Sequence, residues 1–290
     1  MTKTNAKTAP PAVEQPAPAS AVTPFQETRL PTVYEGFEAD ANMGFENADA
    51  DSYAIPFLII LQSGSPQCKR SDGAYVEGAQ EGMLYNTVTG KIIDPINGVQ
   101  IIPCTYNHSF VEWQLRENGG GFRGEHPAET PLRHQTTKDE KGRDILPNGN
   151  QLNDTRTHYI LVVGEDGIPA PAVISMSSTQ IKKSKSWMAA MNGIKLVGKN
   201  GLYTPPMCSQ VWEIKTKAES NDKGSWFGWH FSHLGQLEGP EDGRYKMAKE
   251  FAQLVASGGA KADLSKTGET ASPAEPGSYD GDLGDEDAPF

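Results

Sequence analysis

The densest meeting of cations and an aromatic ring is the run Lys182-Lys183-Ser184-Lys185-Ser186-Trp187. Ammonium groups neutralise phosphates and indole rings stack on bases, so this mixture suits a single strand of nucleic acid, whose bases lie open. A second mixture comes from Lys215 and Lys217, two residues apart, with Trp226 and His230 further on. Arg116 and Arg123 open a third cationic stretch that continues through Arg133, Lys138, Lys141 and Arg143. Lys182 and Lys185 fall one turn apart on a helix; the alternative for Trp187 is a core ring beneath a solvated helix face. Trp212 and Trp229 are expected to be buried for hydrophobic reasons.

Other chemistries have no such footing. Thr89-Gly90-Lys91 resembles the end of a phosphate loop, but the glycine required five positions before Gly90 is Tyr85, and Ile92 stands where Ser or Thr belongs. His230 and His233 fall on opposite faces of a strand, so they do not form a metal pair. No Gly-x-Ser-x-Gly elbow and no acidic pair stands out. The expectation is a protein that is not an enzyme, with no catalytic residues, no cofactor and no metal. Cys68, Cys104 and Cys208 have neither even number nor metal spacing, and they are read as buried free thiols.

The elements that must position these residues are mostly short strands. The apolar run Pro56 to Leu61 fits a buried strand or a short buried helix. Residues 82–86 and 89–93 read as strands around a turn at 87–90, and 99–106 and 109–114 as two strands separated by Asn107-His108. From 116 to 154 apolar residues nearly vanish and Gly and Pro gather, predicting a mobile, structureless insertion that could clamp a bound strand. Strands resume at 157–163 and 171–176. A helix follows, capped by Ser177-Ser178 and ended by Asn192-Gly193.

Residues 208–216 and 225–234 form a hairpin. Its period of two puts Trp212, Ile214 and Thr216 with Phe227, Trp229, Phe231 and His233 on one face, and Lys215, Lys217, Trp226 and His230 on the other. A last helix runs from 241 to 256. The sum is a β-rich α+β fold: an antiparallel OB-like barrel or bent sheet with two helices packed on it.

Charge sorts the chain into three parts. The formal net charge of −11 lies in the ends: three basic and eight acidic residues in 1–56, two and eight in 258–290, leaving 57–257 neutral. The acidic balance therefore does not exclude a nucleic-acid-binding core. We divide the chain into a Pro/Ala-rich, then acidic segment 1–50, a binding core 51–257 containing the insertion 116–154, and an acidic tail 258–290, with both ends expected to be disordered. No apolar run spans a bilayer and no signal peptide is recognisable, so a cytoplasmic location without membrane contact is expected.

The tail ends Asp285-Glu286-Asp287-Ala288-Pro289-Phe290. It resembles the acidic tip of bacterial single-stranded DNA-binding proteins, which closes on Pro-Phe, and the Phe-ended tails of phage single-stranded DNA-binding proteins. The resemblance implies that Asp285, Glu286, Asp287, Pro289 and Phe290 contact replication or recombination partners, and that the tail competes with DNA for a basic groove. Pro56 to Gln62, the Gly-rich stretch after Trp113 and Ser177 to Trp187 are together similar to a class of phage early proteins associated with single-stranded DNA, over roughly residues 50–255. The expected function is sequence-independent single-stranded DNA binding in phage replication and recombination. The DNA-contacting set is Lys182, Lys183, Lys185, Trp187, Lys215, Lys217, Trp226, Arg116 and Arg123. A homo-oligomer is compatible with the sequence. The alternative is a non-DNA adaptor or host-factor inhibitor acting through the tail.

Overall fold

The computed structural model describes residues 36–49, 52–164, 167–222 and 224–265. The sequence divides its apolar residues between two faces of the same strands, and two cores result. In β8 (Gln151–Val163) and β9 (Pro169–Ser177), Tyr159, Leu161 and Val173 enter one core while Ile160, Ala172, Ile174 and Met176 enter the other. The same alternation carries Ile102 and Ile101 of β4 (Val99–Trp113), and Val211 and Trp212 of β12 (Gln210–Asn221), to opposite sides. Such double-sided burial demands a cover on each face. Helix α1 (Ile181–Gly193) closes one core with Trp187 and Met191. Helix α2 (Gly243–Ala256) closes the other with Ala248 and Phe251, helped by Ala260, Ala262 and Leu264.

The main sheet is antiparallel, in the order β13 (Gly224–Gln236), β12, β4, β8 and then β7 (Asp144–Ile145) and β6 (Thr137–Lys138). β5 (Phe122–Pro127) pairs with the far half of β4, and β9 pairs with β8. A three-stranded sheet of β1 (Leu58–Ile60), β2 (Leu84–Asn86) and β3 (Ile92–Ile93) bridges the two edges of the curl. On one side Phe57 pairs in parallel with Val173 of β9. On the other, the Gln62 amide takes the place of a strand: it donates to Phe227 O at 2.9 Å and accepts from Phe227 N at 2.8 Å. Trp229 N donates to Gln180 Oε1 at 3.1 Å, so glutamine side chains occupy successive ladder positions on the exposed edge of β13. The architecture is the expected β-rich, bent antiparallel sheet with two helices.

The apolar run 56–61 resolves as a strand. Ser177 makes no side-chain cap; a 3-10 turn at Ser178–Gln180, with Ser178 at φ 49°, leads into α1 instead. α2 is capped by Asp242, whose carboxylate accepts from Arg244 N at 2.8 Å. Of the cysteines, Cys104 and Cys208 are buried and Cys68 is partly so, all free.

Two expectations are corrected. Asn107-His108 is no turn: β4 runs straight through it, because Asn107 and His108 pair with Thr157 and Arg156 of β8, and the irregularity in that pairing lies between Pro103 and Thr105. The insertion 116–154 is not structureless. It contains β5, a 3-10 turn at Pro131–His134, β6, β7 and the first residues of β8. Polar bonds supplement its few buried apolar side chains, Leu146 and Leu152. Glu112 accepts from Asn148 Nδ2 at 2.9 Å, Asn150 Nδ2 at 2.5 Å and His126 Nε2 at 2.9 Å. Burial works against its ionisation, but those bonds outweigh it and hold the carboxyl below its ordinary range.

A two-stranded ribbon of β10 (Leu196–Gly198) and β11 (Gly201–Tyr203) follows α1 and leaves the cross-strand pair Val197 and Leu202 uncovered.

Candidate nucleic-acid interface

The β12–β13 register puts Lys215 opposite His230, Lys217 opposite Gly228 and Glu219 opposite Trp226. Directly opposed residues share a face, so Lys215, Lys217, Trp226 and His230 stand together on the side away from the core, as the period predicts. Glu213 and Glu219 stand with them. On the core side Trp212 faces His233, Ile214 faces Phe231 and Thr216 faces Trp229. His230 and His233 do fall on opposite faces.

Carboxylates organise the cations. Glu219 accepts from Trp226 Nε1 at 3.1 Å and pairs with Lys183 Nζ at 2.5 Å, clasping α1 to the hairpin. Gly228 makes room for this, since a Cβ there would sit 2.8 Å from the Glu219 carboxylate. Lys215 Nζ pairs with Glu213 at 3.1 Å. Lys185 and Lys217 make no ion pair among the described residues, and Lys182 and Lys185 are exposed on α1. Partial burial, and then Lys217, Lys183 and Lys215, lower the His230 pKa, so the ring is neutral near pH 7. Trp226 is partly exposed and enters no ring pair among the described residues.

The other tryptophans differ. Trp187, Trp212 and Trp229 are 2%, 3% and 3% exposed. This corrects Trp187 as an open stacking platform: Phe231 stacks on it at 4.0 Å and 8°, and the His158 ring lies 4.7 Å away at 32°. A helix packed on a curled sheet turns that ring inward, because burial of an indole outweighs any benefit of displaying it. Trp187 Nε1 and Trp212 Nε1 are buried with no hydrogen-bond partner. An unmet buried donor costs about 1–3 kcal/mol.

Both tryptophans line a half-open cleft of about 250 Å3 between α1 and β13, with Lys183, Ser186, Ala190, Trp229, His230 and Phe231 completing its walls. The sequence reading missed this cleft. Its signal was the placement of Phe231 on the core face directly beneath the lysine-bearing helix.

Arg116 and Arg123 do not join this group. β12 meets β4 at Val99 to Ile101, whereas Arg116 and Arg123 lie past the other end of that strand, roughly 40 Å away along an extended backbone. Arg123 bonds to the Gln114 side chain, Arg143 pairs with Asp139 at 2.7 Å and Glu117 at 3.4 Å, and Lys138 pairs with Asp144 at 3.0 Å. Between the two ends, Arg156 holds Asp154 with two bonds of 2.9 Å and Tyr106 Oη at 3.0 Å.

The described residues hold one serine–histidine pair in a core: Ser184 Oγ and His158 Nε2 share a bond of 2.8 Å, both groups 1% exposed and sealed from any substrate. No cluster of three or more His, Cys, Asp or Glu among the described residues could hold a metal ion, and no described helix is long and apolar enough to cross a membrane. Asp285, Glu286, Asp287, Pro289 and Phe290 lie outside the described residues.

Residues 25–261, most of the chain, match the Pam3 phage gp34-like protein family. The chain belongs to that family. Nothing among curated proteins or solved structures matches it. The family match takes in every strand and both helices of the described fold, together with all the lysines of the hairpin and α1.

Proposed function

We propose that this phage-family chain binds single-stranded DNA without sequence specificity, in phage replication and recombination. The observation that carries the reading is the single hairpin face that unites Lys215, Lys217, His230 and Trp226, with the lysines of α1 at its edge. Phosphates would be neutralised by Lys182, Lys183, Lys185, Lys215 and Lys217, with phosphate displacing Glu219 from Lys183 and Glu213 from Lys215. A base would stack on Trp226. Sequence independence follows, since every base has a ring face and every phosphate a charge. Arg116 and Arg123 would touch only a strand long enough to follow β4 to its far end. The acidic tail, through Asp285, Glu286, Asp287, Pro289 and Phe290, would recruit replication or recombination proteins. The reading assigns no catalytic step.

Titration of the intrinsic tryptophans with a short oligothymidine, at low and at moderate salt, tests it. Saturable partial quenching that fades with salt and is largely lost in Trp226→Phe is expected. No quenching at low salt would remove the DNA reading and leave the tail as the working part of the molecule.

A further inference from the structure

The ribbon of β10 and β11 carries an apolar knob. Val197 and Leu202 lie directly opposite each other and are 83% and 73% exposed. Opposed residues share a face, so the two side chains stand together. Both roots of the ribbon are anchored in the core that α1 closes, through Ile194 before it and Met207 after it. Elsewhere an open apolar groove of about 350 Å3 is walled by Leu161 and Pro171 of the sheet and by Met247, Phe251 and Leu254 of α2. Leu161 and Phe251 belong to the other core, the one that α2 closes. Ribbon and groove therefore belong to opposite faces of the sheet, and neither covers the other within one chain. Their charges are opposite as well. Lys195 and Lys199 flank the knob, and residues 194–204 contain no acid. The charged residue in the groove lining is Glu250, exposed on α2 and without an ion pair among the described residues.

We propose that the ribbon of one copy docks in the α2 groove of a second copy, so that the chain associates head to tail. Val197 and Leu202 bring two branched apolar side chains to an apolar groove, and Met247 adapts to what enters because its side chain is unbranched and flexible. Lys199, in the turn of the ribbon, meets Glu250 at the rim. Removal of both apolar surfaces from water drives the contact, and opposite charge sets its direction. Ribbon against ribbon would oppose Lys195 and Lys199 to their own copies, and groove against groove would oppose Glu250 to itself. Like charge thus disfavours both symmetric pairings. Because the two partners use different patches, copies add in series, as a ring or an open chain. A contact this small is weak, so copies are single at low concentration and associate as concentration rises. The inference stands apart from the DNA reading, since the hairpin face and α1 take no part in the groove.

The test is sedimentation velocity of the full chain without DNA, over roughly a hundredfold rise in concentration. Moderate salt screens the net charge of −11. The mean mass of wild type is expected to rise steadily past that of a dimer. Val197→Ser with Leu202→Ser, at exposed positions, should stay monomeric, as should Met247→Lys with Leu254→Lys. Mixed in equal amounts, these two variants should form a dimer and nothing larger, because the pair retains one intact ribbon and one intact groove. Lys199→Glu and Glu250→Lys should each weaken association about threefold, and the two together in one chain should restore it. That exchange of charge serves if the groove variant misfolds. A wild type that stays monomeric throughout would overturn the proposal. A dimer that persists in the groove variant would mark a symmetric ribbon contact, and assembly that persists in the ribbon variant would give the groove another occupant; either overturns it. A mixture of the two variants that remains monomeric, or a charge exchange that restores nothing, would do the same.

Discussion

Residues 116–154 carry six basic and seven acidic side chains, whereas α1 and the β12–β13 hairpin together carry six basic and three acidic. In the first region acidic side chains outnumber the basic ones, and Arg143 serves Asp139 and Glu117 while Lys138 serves Asp144, beside only two buried apolar side chains, Leu146 and Leu152. In the second the fold rests on buried rings, and its cations have half as many carboxylates beside them. The contrast teaches that charge is available for a partner where packing, not ion pairing, holds the structure. Surface pairs contribute little individually, but they decide which ammonium groups a phosphate must win from a carboxylate.

The largest expected difference between the regions is in stability. Trp187→Ala removes a fully enclosed ring and should cost about 3–5 kcal/mol in urea unfolding. Trp113→Ala, beside the insertion and only partly buried against Phe122, should cost markedly less. Equal losses would break the contrast.

The same ring stack gives a pH dependence. Burial, with a smaller contribution from Arg156, pushes the His158 pKa to about 3, against about 6.5 in an unfolded chain. The unfolded chain therefore takes up a proton first as pH falls: stability is complete above about 6.5 and declines toward 3, by up to several kcal/mol. Glu112, Asp139 and Asp242, whose carboxyls are held low, push in the same direction. The His158 share is thus read as a difference: the urea midpoint of His158→Gln should fall less than that of wild type between about pH 7 and about pH 4.5. Parallel declines would show that the buried ring is not the sensor.

Charge reversal sharpens the functional side of the comparison. Lys215→Glu with Lys217→Glu should weaken oligothymidine binding by about tenfold or more and flatten its salt dependence. Arg123→Glu with Arg143→Glu should have a much smaller effect on a short oligomer. The smallest effect is expected for Glu219→Gln, which releases Lys183 and should tighten binding about two- to threefold. Weaker binding in that variant would mean that the clasp positions Lys183 instead of occupying it.

Much of the hairpin was legible in sequence because a period of two sorts residues with no long-range knowledge. Lys215, Lys217, Trp226 and His230 fell together for that reason. The continuity of β4 through Asn107-His108 was not legible, since it depends on β8 offering Thr157 and Arg156 as partners. The insertion was misread for a related cause: its strands are held by Glu112, Asn148, Asn150 and His126, contacts remote in sequence that no local propensity announces. Trp187 shows the same limit at the site. The five residues before it are all lysine and serine, and only the curl of the sheet turns the ring toward Phe231 and away from solvent.

The most direct test of the central claim, that the hairpin face and α1 receive the strand, is photochemical crosslinking of the full chain to an iodouracil-substituted oligothymidine followed by peptide mapping. The account predicts adducts on the peptides carrying Trp226 and residues 181–190, diminished by salt. Adducts confined to residues 116–154, with the hairpin unmarked, would contradict it.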